Sequence, residues 1–115
     1  MPLLKLQTSV LLPEDEQDTL IRALSKLLAE ATGKPERYVM VLLEEGRACM
    51  AGKMAPAAFA DVRGIGGLTP EVNADISARL AALLREKLDI PAENVYLNFT
   101  DVAAENWGWN GRTFA

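Results

Sequence analysis

The chain repeats one pattern about halfway along its 115 residues, and this repeat limits the folds that it can adopt. Pro13-Glu14 and Pro70-Glu71 each open a helical pattern, at an offset of 57 residues. The same offset relates three further pairs, which are Asp18 and Asp75, Leu27 and Leu84, and Glu36 and Glu93. An internal repeat of this kind indicates similar structural units. We therefore predict a single domain over residues 1–115 with two pseudo-repeats, of about 1–56 and 57–115.

Each half contains a helical pattern between two extended segments. The first helix is predicted from Pro13 to about Ala31, because leucines recur along it at intervals of three, four and seven residues. The second is predicted from Pro70, with Thr69 as its N-cap, and Pro91 closes the segment. The predicted strands are residues 3–10, 38–43, 57–62 and 95–100.

A helix that joins two strands across a crossover forms a βαβ unit, and two such units predict an α+β fold. We expect a four-stranded mixed sheet with both helices on one face. Residues 38–43 are almost continuously apolar, which predicts a strand buried on both faces. The second face of the sheet would then be apolar and uncovered, and such a surface requires a partner. We predict that further copies of the chain cover it.

Composition and charge exclude several classes of function. The net charge is −4 and the pI is about 4.8, so nucleic acid and anionic membranes are poor partners. The chain has no histidine, which excludes histidine-dependent triads and ordinary zinc sites, and we predict no metal or cofactor. Cys49 is the one cysteine, which excludes an internal disulfide. We expect it to be a small buried hydrophobe.

The sequence also predicts a location. Lys5 interrupts a start that is too short for the apolar region of a signal peptide. No apolar run approaches the roughly 20 residues that a membrane span requires. A lone cysteine suits a reducing compartment. We predict a cytoplasmic protein, with secretion without a signal peptide left open.

Pro2 directly follows the initiator Met1. Methionine is usually removed before such a small residue, and the new N-terminus would then be the rigid secondary amine of proline. Burial against an apolar strand would disfavour the protonated amine and lower its pKa toward neutrality. Pro2 is therefore a candidate base in a protein that has no histidine.

A glycine-rich segment at residues 64–70 leads into the second helix. Its backbone N–H groups could hold an anion, or its glycines could serve only a tight turn that requires positive φ. The segment misses the last glycine of a dinucleotide-binding motif, since Thr69 occupies that position. It also lacks the Gly-Lys-Ser/Thr sequence of a P-loop. Both interpretations stay open.

Several polar and aromatic residues have a structural and a functional interpretation. Lys34 lies just beyond the first helix and could simply complement the helix dipole. Tyr96 and Asn98 alternate on the last strand and so point to the same side, which indicates an interface or a pocket. Trp107 and Trp109 could anchor the C-terminal segment or close a pocket.

Four pieces of the chain together resemble the macrophage migration inhibitory factor family, within the tautomerase superfamily. They are Met1-Pro2-Leu3, Ala31-Thr32-Gly33-Lys34-Pro35, Val95-Tyr96-Leu97-Asn98 and Gly108-Trp109-Asn110-Gly111-Arg112-Thr113-Phe114-Ala115. The resemblance spans the whole chain, and its pieces occur in the same order. It implies a homotrimer with active sites at the subunit interfaces. It also implies keto–enol tautomerase activity on phenylpyruvate-like acids and dopachrome-type substrates.

The resemblance assigns roles to individual positions. Pro2 matches the catalytic base, which moves a proton between the carbon next to the carbonyl and the enol oxygen. Lys34 matches the residue that holds the substrate carboxylate, and Ile65 matches the residue whose backbone N–H assists. The other matching positions are Tyr96 and Asn98, which reach in from a neighbouring subunit, and Trp107 and Phe114, which line the pocket wall.

Two departures from the family pattern concern functions other than tautomerism. Animal members carry a Cys-x-x-Cys motif, whereas residues 56–60 contain no cysteine, so we expect no thiol–protein oxidoreductase activity. The loop at residues 11–14 lacks the arginine associated with receptor contacts, which argues against chemokine-like signalling.

Two alternatives to a tautomerase remain at this point. One is a cytokine-like interaction protein whose tautomerase activity is weak or vestigial, which an enzyme assay beside a receptor-binding assay would distinguish. The other is a ferredoxin-like ligand-sensing module in which Pro2 is incidental. A retained Met1 would block the proline amine and favour this last alternative.

Overall fold

Two strand–helix–strand units follow each other along the chain, as shown by a computed structural model that describes residues 1–10 and 12–115. Leu11 lies outside the described residues. It belongs to the loop at residues 11–14, which has no arginine. The first unit contains β1 (Leu3–Thr8), α1 (Glu14–Thr32) and β2 (Met40–Glu45), followed by a hairpin of β3 (Cys49–Met50) and β4 (Lys53–Met54). The second contains β5 (Ala58–Gly64), α2 (Pro70–Leu88) and β6 (Val95–Asp101), followed by a hairpin of β7 (Gly108–Trp109) and β8 (Arg112–Thr113).

The four longer strands form one mixed sheet in the order β2-β1-β5-β6. Within each unit the two strands are parallel, and β1 and β5 join the units as an antiparallel pair at the centre. This arrangement confirms the predicted α+β fold with its four-stranded sheet. Neither helix among the described residues has the length and apolarity that crossing a membrane demands.

Both helices begin and end where local chemistry favours it. Pro13 is the N-cap residue of α1, and Gly33 ends that helix in the left-handed conformation, at φ 71°. The hydroxyl of Thr69 accepts a hydrogen bond from the backbone N–H of Val72 at 3.2 Å, which confirms Thr69 as the N-cap of α2. Asp89 ends α2 in the left-handed conformation, at φ 55°.

The hydrophobic core lies between the sheet and the two helices, which pack on the same face and against each other. Alternate residues of the central strands point into it, so Leu4 and Leu6 of β1 face inward beside Ala60 and Val62 of β5. The helices contribute the fully buried side chains Leu20, Leu24, Leu28, Ile76, Leu80 and Leu84. Burial of this apolar surface is the main contribution to the stability of the fold.

The opposite face of the sheet is open in the single chain. Two predictions are wrong, which are the start of the second strand and the burial of Cys49. The strand predicted at residues 38–43 begins two residues later, because Tyr38 closes a 3₁₀ turn and β2 starts at Met40. Met40 is 58% exposed and Leu42 is 44% exposed, because both lie on the face of the sheet that the helices do not cover. Cys49 is exposed rather than buried, because it lies in the short β3–β4 hairpin outside the core.

Candidate active site

Pro2 is buried and directly precedes β1, which lies between β2 and β5 in the sheet. Its carbonyl oxygen accepts a hydrogen bond from the backbone N–H of Met40 at 3.0 Å, which ties it to the start of β2. On the other side, the antiparallel register that pairs Leu3 with Arg63 places Pro2 opposite Gly64. The first residues of the chain are thereby held at the end of the sheet where β2 begins and β5 ends.

The N-terminal ammonium group, which Met1 carries in this structure, has a pKa lowered from its ordinary value. Partial burial is the larger cause, because it disfavours the charged form, and the positive charge of Lys34 is the second. Removal of Met1 would transfer the terminal amine to Pro2, which is the more deeply buried of the two residues. Burial and the positive charge of Lys34 would then both act on the secondary amine of Pro2.

Lys34 is half-buried directly after the left-handed Gly33, and its side chain crosses to the second unit of the fold. Its Nζ donates a hydrogen bond to the carbonyl oxygen of Ile65 at 2.9 Å. An ammonium group has three N–H donors, so two remain for a ligand. The predicted neighbours Pro2, Lys34 and Ile65 are therefore brought to one end of the sheet. The backbone group of Ile65 that contacts Lys34 is its carbonyl, whereas the resemblance assigns a role to its N–H.

The glycine-rich turn leaves space for the side chain of Lys34. Gly66 and Gly67 have φ values of 69° and 81°, which confirms that the turn requires positive φ. A Cβ atom on Gly67 would lie 3.1 Å from Cε of Lys34, so the absence of a side chain there makes room for the lysine. The backbone N–H of Gly66 donates to Oδ1 of Asp101 at 2.8 Å. This N–H is therefore already paired within the chain.

Two matched glycine variants separate backbone strain from crowding of the lysine. Gly66→Ala and Gly67→Ala are each expected to lower the free energy of unfolding by about 1 kcal/mol, because both positions have positive φ. A Cβ on Gly66 meets no heavy atom within 4 Å, so only Gly67→Ala should also shift the NMR signals of the Lys34 side chain. Gly46→Ala is the control without positive φ or a close neighbour. Equal shifts of the Lys34 signals in both turn variants would contradict the steric argument.

An aromatic cluster links the 3₁₀ turn before β2 to the C-terminal hairpin. The ring of Tyr38 meets Trp109 edge to face, with centroids 5.7 Å apart, and Trp109 stacks on Phe114 at 5.4 Å. The guanidinium of Arg37 lies 4.9 Å above the Tyr38 ring. Trp107 is half-buried and contributes a backbone contact, since its carbonyl accepts the N–H of Phe114 at 3.2 Å.

Tyr96 and Asn98 lie away from the end of the sheet that holds Pro2 and Lys34. Both are exposed on the open face of β6, where Tyr96 pairs with Phe59 and Asn98 with Asp61. Through the sheet these positions align with the middle and far end of β1, roughly 10–17 Å along the strand from Pro2. They are also two strands away from β1. A single chain therefore does not bring Tyr96 and Asn98 to Pro2.

Comparison with known proteins gives a consistent result over the full length of the chain. A model of the macrophage migration inhibitory factor family matches residues 1–115. This chain belongs to the macrophage migration inhibitory factor family. The macrophage migration inhibitory factor of Xenopus laevis is 36% identical over 116 aligned residues that cover 100% of both chains. A homolog from Trichuris trichiura is 37% identical and covers 99% of this chain and 100% of its own.

Solved structures of the macrophage migration inhibitory factor family share the fold. The crystal structure of a homologue from Prochlorococcus marinus superimposes with a TM-score of 0.92 at 37% identity, covering 98% of this chain and 99% of its own. A macrophage migration inhibitory factor-like protein from Entamoeba histolytica gives a TM-score of 0.94 at 30% identity and covers 97% of each chain. The resemblance inferred from the sequence is thus confirmed at the level of family and fold.

The aromatic cluster contains two residues, Tyr38 and Arg37, that the sequence analysis did not consider as site residues. Tyr38 contacts Trp109, which stacks on Phe114, and Arg37 lies over the ring of Tyr38. The repeat offered a signal for Tyr38, because Pro35 and Pro91 each precede a three-residue 3₁₀ turn. Recognition of that correspondence would have placed Tyr38 in a turn rather than in a strand.

Proposed function

We propose that this protein is a keto–enol tautomerase that acts on phenylpyruvate-like 2-keto acids and dopachrome-type substrates. Pro2 would be the general base once Met1 has been removed. The observation that carries this proposal is a buried Pro2 at the end of the sheet where Lys34 reaches the carbonyl of Ile65. The positive charge of Lys34 already lowers the pKa of the terminal amine that Met1 carries in this structure, second to burial. A base that is neutral near physiological pH, yet still basic enough to accept a proton from carbon, suits enolisation.

In the proposed reaction, the unprotonated nitrogen of Pro2 accepts a proton from the carbon next to the keto group. The electron pair of that C–H bond forms the new C=C bond, and the carbonyl π electrons move to the oxygen. The protonated amine then delivers the same proton to this oxygen, which becomes the enol hydroxyl, and the nitrogen of Pro2 is neutral again. Lys34 would pair with the substrate carboxylate through its free N–H donors. The cluster of Tyr38, Trp109 and Phe114 offers an apolar wall for an aromatic ring.

The proposal includes a homotrimer whose active sites lie between subunits. The open face of the sheet supports self-association, because Met40, Leu42, Phe59 and Tyr96 are all exposed there. Tyr96 and Asn98 lie too far from Pro2 in one chain to share its site, so a neighbouring subunit would supply them. A cytoplasmic location is part of the same proposal.

The proposal is tested first on the wild-type protein. Intact mass establishes whether Met1 has been removed, and light scattering gives the number of subunits. The rate of phenylpyruvate enolisation is then measured against a sample that retains Met1. We expect a processed trimer that accelerates enolisation and a blocked sample that does not. Equal rates in both samples would overturn the role of the terminal amine.

A shared site also predicts complementation between two defective variants. Pro2→Gly removes the base, and Asn98→Ala removes a group that the neighbouring subunit would supply. When the two are unfolded and refolded together, a site with both wild-type groups should form at about a quarter of the interfaces. Activity of the mixture should therefore exceed the sum of the separately refolded variants. Strictly additive activity would show that Pro2 and Asn98 do not act in one intersubunit site.

A second candidate function follows from the relatives, which are named as a macrophage migration inhibitory factor and a homolog of it. A cytokine-like protein could keep the fold and the pocket while its tautomerase activity is vestigial. The discriminating result is a wild-type protein that binds a receptor ectodomain and leaves the enolisation rate unchanged.

A further inference from the structure

Asp101, the last residue of β6, anchors the glycine-rich turn next to Lys34. Its Oδ1 accepts a hydrogen bond at 2.8 Å from the backbone N–H of Gly66, a residue 35 positions earlier in the chain. The next residue, Val102, donates its own N–H to the carbonyl of Gly64 at 2.7 Å. The end of β6 therefore holds the backbone on both sides of Ile65.

The two contacts of the turn meet in one peptide unit. The carbonyl that accepts from Nζ of Lys34 belongs to Ile65, and the N–H that Asp101 holds belongs to Gly66. These groups lie in the same planar peptide and point in opposite directions, because the peptide is trans. An N–H fixed toward Asp101 therefore leaves the carbonyl pointing toward Lys34. A carboxylate at one end and an ammonium at the other also polarise the peptide in the same sense.

Such an anchor matters because the turn could otherwise rotate. Gly66 has no Cβ, lies in the left-handed region at φ 69° and is followed by Gly67 at φ 81°. Glycine pays little steric cost for alternative backbone conformations, so the peptide between Ile65 and Gly66 could reorient if it were not held. A reoriented peptide would direct an N–H, rather than a carbonyl, at the ammonium of Lys34.

We propose that Asp101 is a positioning residue that orients the Ile65–Gly66 peptide and thereby fixes the ammonium of Lys34 where a substrate carboxylate can pair with it. The identity of the ligand rests on the proposed function. The positioning of Lys34 by Asp101 does not depend on that function. In this assignment Asp101 acts through the Ile65–Gly66 peptide and does not itself contact the substrate or the base. Its effect should therefore appear in the binding of a carboxylate and not in the proton transfer.

Kinetic variants test this assignment. Asp101→Ala removes the acceptor and should raise KM for phenylpyruvate about 5-fold with little change in kcat. Asp101→Asn keeps an oxygen acceptor and should stay close to wild type. The methyl ester of phenylpyruvate lacks the carboxylate, so its KM should be the same in all three proteins. Asp18→Ala, which removes an exposed carboxylate from α1, is the matched control. An equal rise in KM for acid and ester would overturn the proposal.

NMR of the Lys34 side chain tests the positioning without any turnover. In wild type and in Asp101→Asn, the two ε-methylene protons should have separate shifts, because the ammonium is held in one place. In Asp101→Ala they should merge, while the variant unfolds at nearly the same denaturant concentration as wild type. Separate signals in Asp101→Ala would refute the role of Asp101. A wild type that does not enolise phenylpyruvate would refute the proposed function, and these spectra would still decide the positioning.

Discussion

Replacement of Pro2 by glycine is expected to lower kcat for phenylpyruvate enolisation by at least about 100-fold. The variant still has a terminal amine once Met1 is removed, but that amine is primary and its backbone is no longer restrained by a ring. Pro2 fills a buried position between β2 and β5, so glycine also leaves space for water beside the nitrogen. Steady-state kinetics at several pH values, combined with intact mass, measure the effect.

Pro13→Ala is the matched control for this variant, because Pro13 is an exposed proline at the start of α1. Its kcat should equal that of wild type. Light scattering should show the same number of subunits for wild type and both variants. Undiminished turnover by a correctly processed Pro2→Gly protein would remove Pro2 from the mechanism, even if the chain still enolised phenylpyruvate.

The sequence predicted the helices well because their signals are local. Amphipathic spacing and the end residues Thr69 and Gly33 act within one or two turns of the chain, so no tertiary information is needed. The start of β2 was predicted two residues early, since the apolar run from Tyr38 gives no sign of the 3₁₀ turn that follows Pro35. Strand boundaries depend on partners that are distant in the chain.

The two short hairpins illustrate a missed and an absent signal. Asn110-Gly111 joins β7 to β8 with φ values of 53° and 77°, and this dipeptide is by itself a strong hairpin signal in the sequence. Ala51-Gly52 joins β3 to β4 with similar φ values, but alanine is unusual in that conformation and predicts no hairpin. Because Cys49 lies in the β3–β4 hairpin, its exposure could not be inferred without knowledge of that hairpin.

The candidate site was only partly predictable from the residues alone. Lys34 and Ile65 lie 31 residues apart, and their hydrogen bond exists because two separate turns meet at one end of the sheet. The spacing of residues along the chain contains no such information. The family resemblance supplied Lys34, but it did not indicate that Asp101 holds the neighbouring peptide.

Replacement of Lys34 by glutamine is expected to lower kcat/KM for phenylpyruvate about 30-fold, as the loss of ~2 kcal/mol from one charge-assisted pair implies. Glutamine has an amide N–H that can still reach the carbonyl of Ile65, so the variant removes the charge while it preserves that contact. The kcat/KM for the methyl ester of phenylpyruvate should fall much less, because the ester has no carboxylate for Lys34 to pair with. Kinetics with acid and ester on the same protein samples measure the difference.

The same variant should also move the pH profile, and the sign follows from the cause of the pKa shift. The positive charge of Lys34 lowers the pKa of the terminal amine, second to burial, so its removal should raise that pKa. Only the unprotonated amine accepts a proton from carbon, so the acidic limb of kcat/KM should shift to higher pH. Burial persists in the variant, and the shift should therefore be partial. Lys26→Gln, the same change at an exposed position on α1, should leave the limb in place. A limb that stays fixed or moves to lower pH in Lys34→Gln would show that Lys34 does not act on the base.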